Sequence, residues 1–85
     1  MVVFTGMVQG VGFRYTAREL AEQFAISGYV RNCSDGAVEA VVEGEAAEID
    51  AFVEALSSRM ADYVRKVTQQ IAPPRGDMEG FTIRH

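Results

Sequence analysis

One cysteine, Cys33, and one histidine, the terminal His85, are the scarcest reactive residues in this chain of 85. A lone cysteine excludes an internal disulfide, a CxxC redox pair and a thiolate zinc cage. A lone histidine at the chain end leaves a Ser–His or Cys–His nucleophile pair without its base. Any catalysis is therefore expected to run without histidine, metal or cofactor. Long hydrophobic runs are missing as well. Stretches such as Met1-Val2-Val3-Phe4 are far too short to cross a bilayer, and no basic segment followed by a hydrophobic one opens the chain. A cytoplasmic protein is the expectation.

What is present suits a single compact domain over residues 1–85, with 48% apolar and 24% charged residues. The net charge of −4 is unevenly spread. Residues 1–34 carry +1, residues 63–85 carry +2, and residues 35–62 carry −7, with Arg59 alone against eight acids. An acidic surface disfavours nucleic acid and anionic lipid as main partners. A local site for a small anion remains open to it.

The apolar spacing sets the order of elements. Residues 2–8 read as a β-branched strand interrupted by Gly6, Gly10 and Gly12. From Phe13, the positions Ala17, Leu20, Ala21 and Phe24 complete one helical face, and Ser27-Gly28 reads as its stop. Tyr29 to Cys33 and Ala37 to Glu43 read as paired strands across the turn Ser34-Asp35-Gly36. A second helix follows Gly44 with Ala46, Ile49, Phe52, Val53 and Leu56 on one stripe, and with Glu45, Glu48 and Asp50 near its positive end. Tyr63 to Ile71 reads as a strand, Pro73 to Gly76 as a loop, and Phe81 to Arg84 as a last strand. The order β-α-β-β-α-β-β predicts an α+β, ferredoxin-like sandwich. Two helices cover one face of an antiparallel sheet of four to five strands.

The densest chemical signal is Gly6-Met7-Val8-Gln9-Gly10-Val11-Gly12-Phe13-Arg14, between the first strand and the first helix. Three glycines in seven positions allow successive backbone N–H groups to line a concavity that binds anions. A helix N-terminus adds its dipole and unpaired first-turn donors. Arg14, in that first turn, has the planar fork that grips two oxygens of one phosphate. From the residues alone a plainer reading stands beside this one, a turn that merely joins strand to helix with Arg14 in solvent. Nucleotide fingerprints fail: Tyr15 stands where a Gly-x-Gly-x-x-Gly loop needs its third glycine, and no Walker lysine is present.

Gly6-x-Val8-Gln9-Gly10-Val11-x-Phe13-Arg14 resembles the signature loop of the acylphosphatases. Gly28-Tyr29-Val30-Arg31-Asn32, with Asp35-Gly36-x-Val38-Glu39 and Glu43-Gly44, resembles that family's second signature. The likeness covers about the first half of the chain at motif level, and the hairpin and the segment from Ser57 to Tyr63 are less typical. It implies hydrolysis of an acyl phosphate to a carboxylate and inorganic phosphate. Arg14 would bind the phosphate together with the backbone of Gln9, Gly10, Val11, Gly12 and Phe13, and Asn32 would orient the attacking water. A small-molecule substrate, no nucleic acid, no membrane and a monomer are the corresponding expectations.

Alternative readings are a non-catalytic acylphosphatase-like module that binds phosphate-bearing ligands and, more remotely, an RNA-binding domain. The acidic balance and the missing aromatic RNP1 block speak against the latter. Arg18 and Arg31 read as solvated charges with a possible share in the phosphate's surroundings. Cys33 reads as a small strand residue facing away from Asn32. Tyr15, Tyr29 and Tyr63 read as flank packing, and Glu39, Glu43 and Glu45 as a hydrated face.

Overall fold

In the computed structural model, residues 1–71, 76 and 78–84 are described. The elements run β1 (Val2–Gly6), α1 (Phe13–Ala21), β2 (Ile26–Asn32), β3 (Val38–Gly44), α2 (Ala46–Arg59), β4 (Val64–Gln69) and β5 (Phe81–Arg84). The order is the one read from periodicity. The loop read at Pro73 to Gly76 and the terminal His85 fall largely or wholly outside the described residues.

The strands form one sheet in the order β4-β1-β3-β2-β5. Neighbouring pairs are antiparallel except at one edge, where β5 runs parallel to β2, with Val30 opposite Ile83. Strand parity decides what each side chain faces. Val2, Phe4, Val30, Val38 and Ala40 point to the helical side and are buried. Phe13, Ala17 and Leu20 of α1 and Phe52 and Leu56 of α2 close over them. The Phe4 and Phe13 rings meet at 4.9 Å between centroids. This contact seats the start of α1 on the first strand, so the intervening loop is held at both ends.

Several boundaries differ from the periodic reading, that of α1 most of all. Gly28 does not stop α1; the helix ends at Ala21 with Glu22 as its C-cap, and Gly28 lies within β2, paired with Val42. The reason is a close backbone approach. A Cβ at Gly28 would lie 1.8 Å from the carbonyl oxygen of Val41, so only glycine fits. Phe24 still packs on the core beyond the helix end, which is why its spacing extended the apparent stripe.

Candidate functional site

The loop between β1 and α1 carries positive φ at Gly10 (79°) and Gly12 (78°), a left-handed conformation that costs residues with a β-carbon about 1–2 kcal/mol. Gly12 is the N-cap of α1 and supplies no side-chain cap. Its carbonyl accepts the N–H of Thr16 at 3.0 Å, which opens the helix. Among the described residues, the N–H groups of Gly10, Val11, Gly12 and Phe13 make no close, well-aligned hydrogen bond. The first turn of α1 holds no acid to take them up, and Arg14 occupies it instead.

The loop is fixed from the opposite side by Gln9. Its Nε2 donates to the carbonyl oxygens of Cys33 (2.8 Å) and Ala37 (2.9 Å). These acceptors flank the β2–β3 turn, in which the Asp35 carboxylate accepts the N–H of Ala37 at 3.0 Å. Gln9 thus clamps the glycine loop to the strand end that carries Asn32. The spacing of the motif gave no hint of this, because a side chain bonding across the fold leaves no periodic trace.

Arg14 and Asn32 line one open cleft of about 620 Å³, together with Val8, Gly10, Gly12 and Phe13. The two motifs, separated in sequence by a helix and a strand, meet there. Arg14 is half-buried and its Nη1 lies 3.5 Å from the carbonyl oxygen of Arg84 at the end of β5. The far wall is built by Phe81, Thr82 and Ile83 of β5, and the outer wall by Tyr15 and Arg18 of α1. Gln9 and Val11 of the expected cradle are not on the cleft wall; Gln9 acts as the clamp, and Val11 packs against the core.

The other face of the sheet sorts out the remaining candidates. Arg31 is bound to Glu39 at 2.7 Å, and neither residue lines the cleft. Cys33 is next to Asn32 in sequence, yet its Sγ is 3.8 Å from the same Glu39 carboxylate. Burial pushes the Cys33 thiol up, the Arg31 guanidinium opposes this, and the Glu39 and Asp35 carboxylates add to it. A raised thiol is a weak nucleophile. Tyr29 lies under Arg84, with 3.8 Å from guanidinium carbon to ring centroid. No group of three or more potential metal ligands occurs among the described residues. No helix among them is long and apolar enough to cross a membrane.

Comparison with known proteins agrees with this arrangement. The family model described as Acylphosphatase matches residues 1–83. An acylphosphatase of Paenarthrobacter aurescens is 45% identical over 80 residues, covering 93% of this chain and 85% of the relative. An acylphosphatase of Rubrobacter xylanophilus is 43% identical over 84 residues, covering 98% and 76%. The crystal structure of acylphosphatase from Bacillus subtilis superposes with a TM-score of 0.87 at 29% identity, covering 99% of this chain and 94% of that one. With both motifs converging on one cleft and the likeness running nearly end to end, the chain belongs to the acylphosphatase family.

Proposed function

We propose that the protein hydrolyses the carboxyl–phosphate bond of acyl phosphates, with Arg14 holding the phosphate and Asn32 orienting water. The observation that carries this reading is the start of α1. A helix N-terminus is equivalent to roughly half a positive charge, so a cation there is disfavoured by about 0.3–1 kcal/mol unless an anion joins it. Arg14 stands at that end beside unclaimed amides, with no acid in the first turn. A phosphoryl group satisfies all of these donors together.

The chemistry follows from the residues in the cleft. Arg14 and the amides of Gly10, Gly12 and Phe13 hold the equatorial phosphate oxygens and stabilise the charge that gathers on them in the transition state. A carboxylate departs readily without a proton, so no general acid is required. Asn32 reaches the cleft from the end of β2. Its carboxamide is neutral and takes no proton at pH 7; it fixes the water in line with phosphorus, a gain in orientation rather than basicity. Water adds to phosphorus as the P–O bond to the acyl group breaks. The electron pair leaves with the carboxylate, and a phosphate oxygen of the substrate accepts the proton.

The same reading takes residues 1–85 as one acylphosphatase-like domain, a cytoplasmic monomer acting on a diffusible small molecule with no cofactor. The test is turnover of benzoyl phosphate by the purified chain, followed spectrophotometrically with and without chelator. Hydrolysis unaffected by chelator is the expected result. Saturable phosphate binding without turnover would make the protein a binding module instead.

A further inference from the structure

We propose that Arg18, lodged against Tyr15, is a second anion subsite that favours acyl phosphates bearing another negative group on the acyl chain. The inference rests on the hydrolytic reading above and concerns the leaving side of the same cleft. Arg18 follows Arg14 by four residues in α1, so their β-carbons stand about 5–6 Å apart on one helix face. Both line the cleft. Tyr15, three residues before Arg18, lies beneath it, with the guanidinium carbon 4.7 Å from the ring centroid. That contact holds a long side chain at the cleft wall.

Arg18 is exposed and forms no ion pair within 4.0 Å among the described residues. Glu22, one turn further on, shares with it the adjoining depression that runs toward Phe81, yet does not pair with it. The helix dipole explains a cation in the last turn of α1. It does not explain a cation stacked on a tyrosine at the mouth of a phosphate cleft. With phosphate on Arg14, the wall formed by Tyr15, Arg18 and Phe81 is open to the acyl group. The monoacyl phosphate of a short dicarboxylic acid places its free carboxylate about one helical turn from phosphorus, within reach of the Arg18 fork.

The experiment compares monosuccinyl phosphate with butyryl phosphate, equal in carbon count and differing in the terminal charge. The readout is the ratio of their kcat/KM values at low ionic strength. Wild type is expected to favour the charged substrate about fivefold, as suits an exposed ion pair. In Arg18→Ala the ratio falls to about one, in Arg18→Glu it drops below one, and added salt erodes the wild-type preference. Equal ratios in wild type and Arg18→Ala would overturn the subsite while leaving the hydrolysis intact. A matched pair of β-ketophosphonates, one ending in carboxylate and one in methyl, gives the same comparison by calorimetry without turnover. Charge preference there that disappears in Arg18→Ala supports the subsite even if hydrolysis fails; no preference overturns it.

Discussion

The two helices of this sheet begin in opposite ways. α2 opens with Glu45 at its N-cap and Glu48 in its first turn, so its positive end is balanced from within the chain. Glu48 also accepts the N–H of Ala25 at 2.8 Å, which ties the start of α2 to the approach to β2. α1 opens on Gly12, without a side-chain cap or an acid, and with Arg14 one residue past its start. The first terminus is balanced by acids of its own helix; the second carries a cation and no acid in its first turn. On the proposed reading, the second end costs stability when empty and repays it when an anion arrives.

Removing the cation at the start of α1 should have the largest effect. Arg14→Ala is expected to lower kcat/KM for benzoyl phosphate by about 10³–10⁵-fold, the range for an arginine that stabilises phosphoryl transfer. Excess inorganic phosphate should raise the Tm of wild type but not of this variant, as ligand linkage requires. A variant that keeps both turnover and phosphate stabilisation would remove the anion from the α1 end.

Asn32→Ala separates binding from reaction on the same cleft. Turnover should fall by about 10²–10³-fold, while phosphate still raises the Tm. Loss of phosphate affinity with a normal turnover number would refute the role in orienting water. Gly12→Ala sharpens the contrast between the caps. No heavy atom lies within 4 Å of the added carbon, so its cost is the left-handed backbone, about 1–2 kcal/mol by chemical denaturation. If the loop shifts to relieve that strain, activity should fall by up to about 100-fold.

The smallest effect belongs to the balanced end. Glu48→Gln should lower stability by about 0.5–1 kcal/mol in urea and leave kcat/KM within twofold, since it removes a charge at α2 and keeps an oxygen for Ala25. A large activity loss there would mean that the two helix starts are coupled, and the comparison would fail.

Much of this was legible before any coordinates. Phe13 as the start of α1, the Asp35-Gly36 turn and the limits Phe81–Arg84 follow from spacing and turn chemistry, and Arg14 and Asn32 stood out through their motifs. Gly28 was misread because a glycine after an apolar stripe signals a helix stop, whereas its actual constraint, the Val41 carbonyl, comes from another strand. The ends of β4 were read too generously at Tyr63 and Ile71, because apolar residues there extend the pattern past the last paired position, Gln69. Arg18 read as a solvated charge. It is exposed, but only the fold brings it to the cleft wall beside Tyr15.

The sequence alone determined the alternation of helices and strands, the buried face of each, and the identity of a glycine loop running into an arginine. These depend on neighbours a few residues apart, whose geometry is set by backbone sterics and hydrophobic period. Tertiary structure decided that β5 runs parallel to β2 and brings Phe81, Thr82 and Ile83 to the cleft. It decided that Gln9 clamps the loop to the Asn32 strand, and that Arg14 reaches the carbonyl oxygen of Arg84. Such contacts join residues distant in the chain, and local spacing carries no record of which distant partner closure of the sheet will supply.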